Sequence, residues 1–218
     1  NTDITKTGQV ALYGSALSIN ENISASTLIL DGNSATLAAG KHMNVTTDLT
    51  NNASLVLESD SNSFSSMKVG GSISGTGTMA YNRYVNSFPN NDLVSAPFTG
   101  GLTFGDIITD SESGSFETNP SNANMHLFGP YNTGTDSYVT YTTTSHSNQA
   151  IVAGKGYRAG GNDTAGDDHA TFKVESNGYA QHGVVVGIDL DNSGNGWNLV
   201  GNPYPTYLNM QTLLNGNS

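Results

Sequence analysis

The chain has 218 residues, of which 11% are charged, and its formal net charge is -11. Such a surface repels phosphate backbones, so we expect no nucleic-acid partner. It contains no cysteine, which excludes disulfides and zinc thiolate sites, and no apolar run approaches the roughly 20 residues of a membrane span. Abundant small polar residues with recurrent Val, Leu, Ile, Tyr and Phe favour an all-β protein rich in tight turns.

An internal repeat occupies the first third of the chain. The segments MNV (43–45), LVL (55–57), MKV (67–69) and MAY (79–81) recur every 12 residues, with glycine and asparagine turns between them. A fixed period of short strands and turns is typical of a β-solenoid, in which successive rungs stack and apolar positions form an interior ladder. We therefore predict a solenoid over residues 1–82, with a meander of 12-residue hairpins as the alternative.

The repeat ends near residue 82, and the sequence that follows lacks its period. Short runs such as YVTY (138–141) and TFKVE (171–175) alternate apolar and polar residues, and Gly, Pro and Asn turns separate them. This pattern predicts an antiparallel β-sandwich over residues 83–218. Only the end, from about Tyr207 to Leu214, has the pattern of a short helix.

Five segments carry a resemblance to a known class of protein: GSISGTGTMAYNRYV, NDLVSAPFTG, LFGPYN, GKGYRAG and GWNLVGNPYPTYLN. In this order they resemble a β-rich extracellular module of large secreted Bacteroidota (flavobacterial) surface proteins and adhesins exported by the type IX secretion system. The resemblance spans roughly residues 65–214. It implies an extracellular or outer-surface location beside the neighbouring domains of a longer polypeptide. It implies no particular activity, because the module accompanies many functions.

The stretch DLDNSGNGW (189–197) is the candidate metal site. Asp189, Asp191, Ser193 and Asn195 place side-chain oxygens at alternate positions, and glycine bends the loop, so the oxygens can converge on Ca2+. The first half matches an EF-hand-type loop, but Val200 stands where the bidentate glutamate is required. Aspartate and asparagine before glycine also form ordinary turns without a metal, and this alternative stays open.

A second set of residues is a candidate site for a carbohydrate ligand. Exposed tyrosine rings can stack on sugar faces, while arginine and carboxylate groups bond the hydroxyls. The candidate ligand residues are Tyr131, Tyr157, Arg158, Asp163, Asp167 and Asp168. The three aspartates lie in a segment outside the resembled pattern, and a solvated acidic loop is the alternative reading of that segment.

Trp197 is the only tryptophan, and it opens the strand-like run WNLV. A single tryptophan in a β-sandwich is expected in the core. The resemblance also includes this residue across proteins of differing function. We therefore expect Trp197 to be buried framework and not a ligand platform. The corner GNPYP (201–205) is likewise expected to be structural, because its two prolines end a central strand.

The residues carry no recognisable catalytic pattern. The five histidines show no HExxH spacing, no GxSxG elbow exists, and no spacing identifies a glycosidase carboxylate pair. We expect a non-catalytic extracellular module that serves adhesion or domain presentation, with a glycan or cell-surface partner. The alternatives are a carbohydrate-binding module attached to a polysaccharide-degrading enzyme, with Ca2+ as a cofactor, and a glycan-active enzyme.

Overall fold

The computed structural model describes residues 2–98, 100–111, 116–162, 169–174, 180, 182–183 and 188–216. The chain is mostly β, which confirms the predicted class, and its first part is solenoid-like. The strands of this part are β1 (Ile4–Thr5), β2 (Gln9–Ile19), β3 (Ile23–Ala25), β4 (Thr27–Leu37), β5 (His42–Val45), β6 (Leu49–Asn51), β7 (Ser54–Leu57), β8 (Ser66–Val69), β9 (Ile73–Ser74) and β10 (Thr78–Tyr84).

Successive turns of the chain stack as rungs, in which every neighbouring pair of strands is parallel. Met43 lies beside Met67 and Leu55 beside Met79, so the last rungs take 24 residues, whereas Val10 lies beside Leu28 and Ile23 beside Met43, so the earlier rungs are shorter. The 12-residue repeat of the sequence is therefore half a rung. Met43 and Leu55 belong to different sheets of the solenoid and do not stack on one another.

The interior of the solenoid is a column of apolar side chains that the stacking places in register. Because strand residues alternate between the two faces of a sheet, every second residue points inwards. The following side chains are fully buried: Ile23, Leu28, Leu30, Ala35, Leu37, Val45, Leu49, Leu55, Leu57 and Met79. Burying one such aliphatic side chain contributes about 1.5–3 kcal/mol relative to leaving it exposed. The column is thus the main source of stability in this part.

The second part of the chain combines short antiparallel sheets with short helices. Its elements are β11 (Asp92–Val94), α1 (Phe104–Asp110), β12 (Thr118–Asn119), β13 (Asn122–His126), β14 (Phe128–Asn132), β15 (Ser137–Tyr138), α2 (Thr143–His146), β16 (Tyr157–Ala159), β17 (His169–Val174) and α3 (Met210–Gly216). One antiparallel sheet has the order β11-β16-β14-β15, and β12 pairs with β13. The predicted C-terminal helix is confirmed as α3.

An aromatic cluster forms the core of the second part. Phe104, Phe128 and Tyr157 stack in sequence, with 5.4 Å between the ring centroids of each neighbouring pair. Phe116 and Tyr141 pack edge-on against this stack. At the start of α1, Thr103 accepts from the Asp106 N–H and the Asp106 carboxylate accepts from the Thr103 N–H, so a capping box fixes the position of Phe104.

The second part closes one end of the solenoid. Strand β17 pairs antiparallel with β10, whose other edge pairs with β7. On the other sheet, the Met67 N–H in β8 donates to the Pro205 carbonyl at 2.6 Å, and the rings of Phe64 and Tyr207 lie 4.3 Å apart. The predicted boundary at residue 82 falls within β10, which pairs with strands of both parts, and the division into two domains stays a prediction.

Candidate functional site

A cleft of about 1070 Å³ opens in the second part. It is lined by residues 100–103 before α1, residues 130–133 at the end of β14, Val139, residues 150–155 before β16, and residues 188–191 and 198–200. Its lining includes the apolar residues Val152, Leu190 and Val200, the aromatic Tyr131, and the charged residues Lys155, Asp189 and Asp191. The cleft thus has apolar and charged lining residues, which suits a ligand with both apolar faces and polar groups.

The predicted calcium loop, residues 189–197, adjoins this cleft, and its first three residues, Asp189 to Asp191, line it. The Asp191 carboxylate accepts from the Ser193 N–H and from the Ser193 hydroxyl, both at 2.8 Å, and these two hydrogen bonds lower the pKa of Asp191. The Asp191 N–H donates to Oδ1 of Asn198 at 2.9 Å. The side chains of Asp191 and Ser193 therefore already close a local turn, which is the alternative that the sequence left open.

The loop is docked against the turn between β14 and β15. The Thr133 hydroxyl donates to the Trp197 carbonyl at 2.6 Å, and the Asn195 amide donates to the Asp136 carboxylate. Gly194 has φ +54° and lies so close to the Thr133 carbonyl that a Cβ would stand 2.0 Å from its oxygen. A side chain at position 194 would thus separate the two turns.

Tyr131 and Arg158 line the sheet beside these turns. The Tyr131 hydroxyl donates to the Asp136 carboxylate at 3.1 Å, and partial burial together with this hydrogen bond raises the pKa of Tyr131. The Arg158 guanidinium lies 4.5 Å above the Tyr138 ring, which itself packs edge-on against Tyr131 with 5.4 Å between centroids. The structure therefore brings Tyr131 and Arg158 to neighbouring positions, and Asp136 links Tyr131 to the loop.

Tyr157 belongs to the core, so its predicted place in a surface ligand site is wrong. Its side chain is 1% exposed and stacks on Phe128. Its hydroxyl accepts from the Val152 N–H at 2.9 Å, and burial raises the pKa of Tyr157 to about 12. The position follows from β-strand alternation: within β16, Tyr157 and Ala159 face the core while Arg158 faces outwards.

Trp197 is 72% exposed, so the prediction that it is buried framework is wrong. The run WNLV does not form a strand; only Val200 bridges to Lys155. The Trp197 carbonyl is bound by Thr133, which fixes the backbone on the turn and leaves the indole in solvent. The corner at residues 201–205 is framework, because the Asn202 amide group accepts from the Tyr204 N–H at 3.0 Å and donates to the Thr206 carbonyl.

Asp163, Asp167 and Asp168 fall outside the described residues. In the ranges that are described, no group of three or more His, Asp or Glu side chains converges as a metal cluster. The calcium site at Asp189, Asp191, Ser193 and Asn195 stays a prediction.

Sequence reasoning missed two residues that organise the site. Thr133 and Asp136 hold residues 189–197 in place, yet neither was singled out. The available signal was the turn sequence NTGTD (132–136), since Asp is a residue that tolerates the positive φ of 49° observed at Asp136.

Comparison with known proteins finds no match to a protein-family model, a curated protein or a solved structure. No helix within the described ranges is long and apolar enough to cross a membrane.

Proposed function

We propose that the chain is a non-catalytic extracellular module of a secreted bacterial surface protein, and that it serves adhesion by presenting the cleft at one end of a stiff stack. The observation that carries this proposal is the closure of the solenoid by the cleft-bearing part, through β17 and the Met67–Pro205 hydrogen bond. Stacked parallel rungs resist bending because each strand is bonded to the next. A ligand held in the cleft is therefore held at a fixed place relative to the stack.

The sequence resemblance supports the wider setting of this proposal. It implies that the module belongs to a large Bacteroidota surface protein exported by the type IX secretion system, with neighbouring domains in the same polypeptide. The second part is proposed to be a β-sandwich, and the antiparallel sheet β11-β16-β14-β15 is compatible with one of its layers.

The second candidate function is carbohydrate binding, as a module of a polysaccharide-degrading enzyme. The exposed Trp197 favours it, because an indole held in solvent beside a polar loop is a suitable platform for a sugar ring. Tyr131 and Asp189 in the adjoining cleft would supply a second apolar face and a hydroxyl acceptor. In the calcium-dependent form of this proposal, Asp189 and Asp191 bind Ca2+ and the cation contacts sugar hydroxyls.

Binding to an array of immobilised glycans and proteins, in calcium and in EDTA, tests both functions. Trp197→Ala is expected to fold normally, because the indole is exposed, and to lose at least tenfold in affinity for any bound glycan. Leu93→Ala is the matched control, since Leu93 is also a large exposed apolar side chain but lies in β11 and not in the loop that adjoins the cleft. Glycan-independent binding to a protein surface supports adhesion, and the absence of any binding contradicts both proposals. Release of new reducing ends from a polysaccharide contradicts the non-catalytic role.

Thermal melting tests the calcium form separately. The double variant Asp189→Ala, Asp191→Ala is expected to melt below wild type in calcium and together with it in EDTA. The same difference between variant and wild type in both conditions would reject a calcium site in this loop.

A further inference from the structure

Two of the segments that line the cleft are held together by their backbones. The Gly156 N–H donates to the Leu199 carbonyl at 3.0 Å, and the Gly201 N–H donates to the Gly154 carbonyl at 2.9 Å. The Ile188 side chain packs on the same pairing, since its end lies 2.5 Å from where a Cβ on Gly154 would stand. These contacts fix the segments relative to one another, so this part of the cleft is preformed.

The same part of the cleft exposes apolar surface. Val152, Leu190 and Val200 line it, and their side chains are 52%, 67% and 47% exposed. Apolar side chains gathered in this way mark a binding site, because a partner that covers them removes apolar surface from water. All three are aliphatic, so they offer a sugar neither an aromatic face nor a hydrogen-bonding group. This lining favours an apolar side chain of a protein.

Charged residues border these apolar residues. Asp189 and Asp191 flank Leu190 in the chain, and all three are exposed and line the cleft. Lys155 is the only basic residue of the lining, so the carboxylates outnumber the cations there. In the part of the chain that the structure describes, neither Asp189 nor Lys155 forms an ion pair. The Asp189 carboxylate is thus available to a cation on a partner, and the net charge of -11 also favours a basic one.

We propose that the cleft binds a segment of a partner protein in which an apolar side chain stands beside lysine or arginine. The apolar side chain covers Val152, Leu190 and Val200, and the cation lies against Asp189 and Asp191. This inference rests on the proposed adhesive function and names the chemistry of its partner. A glycan is the other class of ligand, and its proposed platform is a different residue, Trp197.

The first test is a selection that does not presuppose the sequence of the partner. A phage library of random short peptides is panned on the whole chain in EDTA, so that no divalent cation competes for the aspartates. We expect the recovered peptides to share an aliphatic or aromatic residue beside lysine or arginine. Peptides rich in aspartate and glutamate, peptides with no apolar residue in common, or no enrichment over an unrelated protein overturn the proposal.

The second test locates the site of a recovered peptide, whose Kd is measured by fluorescence anisotropy. Leu190→Ser removes exposed apolar surface and is expected to weaken binding about tenfold or more. Asp189→Asn is expected to weaken it about two- to fivefold and to reduce its salt dependence, because the ion pair is exposed to solvent. Both side chains are exposed, so neither change disturbs the fold.

The matched controls are Leu93→Ser and Asp31→Asn, which make the same substitutions at exposed positions in β11 and β4. Both are expected to bind the peptide as wild type does. Equal weakening by the controls, or a Kd that Leu190→Ser leaves unchanged, overturns the proposal.

The array of glycans and proteins separates failure of this inference from failure of the proposed function. Protein binding that Leu190→Ser does not weaken overturns the inference and leaves adhesion intact. Glycan binding that depends on Trp197, with no peptide recovered from the library, overturns it and leaves carbohydrate binding intact. The absence of all binding to the array contradicts both proposed functions.

Discussion

The solenoid and the cleft loops hold their backbones by similar hydrogen bonds made over very different distances along the chain. In the solenoid, the Asp48 carboxylate accepts from the N–H and the hydroxyl of Ser72, at 2.8 and 2.7 Å, and these residues are 24 positions apart. In the cleft, Asp191 accepts from the same two groups of Ser193, only two positions away, at 2.8 Å. The first pair joins two rungs, whereas the second closes a single turn.

Because of this difference, we expect the rungs to determine the stability of the protein and the cleft loop to tolerate sequence changes. A substitution in one rung affects the stability of the rungs above and below it, because each strand is hydrogen-bonded to its neighbours. A substitution within residues 189–197 affects mainly the conformation of that loop. The loop can therefore alter its side chains, and with them a ligand preference, while the stack stays intact.

The largest expected effect compares two leucines in register. Leu30→Ala empties a fully buried position and is expected to cost about 2–5 kcal/mol of unfolding free energy. Leu12→Ala removes the same atoms in the neighbouring strand β2 and is expected to cost less than half as much, because Leu12 is only partly buried. Urea denaturation measures both. Equal costs would contradict this difference in burial.

The next effect concerns a corner of the stack. Gly77→Ala would place a Cβ 2.0 Å from the Ala53 carbonyl oxygen of the rung below, and the backbone there cannot yield without moving a rung. We expect a loss of about 1–3 kcal/mol in the free energy of unfolding, as for other overpacked sites. Gly8→Ala is the control, because no atom lies within 4 Å of its added Cβ. Urea denaturation measures the free energy of unfolding of both variants. A Gly77→Ala variant as stable as wild type would contradict the close packing of this corner.

These comparisons show why the sequence predicted the solenoid but did not predict how the residues of the cleft are arranged. The rungs repeat one solution, so Met43, Leu55, Met67 and Met79 show the period without any knowledge of the fold. Even there the sequence indicates only the spacing: 12 residues proved to be half a rung, because successive segments of the repeat belong alternately to two different sheets.

The cleft depends on contacts that occur once and join distant segments. Thr133 binds the Trp197 carbonyl across 64 positions, and such a bond produces no periodic pattern in the sequence. Trp197 was expected in the core because it opens an apolar run, but this bond holds its backbone on a turn. Tyr157 was expected at the surface because it lies near a loop, but strand alternation in β16 places it in the core. The structural role of the corner at residues 201–205 could be predicted from the sequence, because prolines constrain the backbone locally.

A smaller effect tests the contact between the two parts. Asn202→Ala removes the hydrogen bonds to the Tyr204 N–H and the Thr206 carbonyl, which shape the corner that carries Pro205 to Met67. We expect a loss of about 1–2 kcal/mol in the free energy of unfolding. Asn209→Ala is the matched control: Asn209 accepts from the Thr212 N–H at the start of α3, so its loss frays that helix alone. A corner variant as stable as the control would mean that the two parts are held together elsewhere.

The smallest effect separates the two aspartates by pH. Hydrogen bonds from Ser72 lower the pKa of Asp48 and those from Ser193 lower the pKa of Asp191, both from an ordinary value of 3.8. A lowered folded-state pKa means that each carboxylate stabilises its contact above the unfolded pKa and loses this contribution as pH falls through the folded value, below about 4. The amide resonances of Ser72 and Ser193 should therefore titrate with midpoints below 3.8.

Asp48→Asn should lower the melting temperature at neutral pH, since its bonds join rungs, whereas Asp191→Asn should abolish the Ser193 titration and leave the melting temperature unchanged. If Asp191→Asn lowered the melting temperature as much as Asp48→Asn, the loop would be part of the cooperative stack, and the contrast between the two regions would fail.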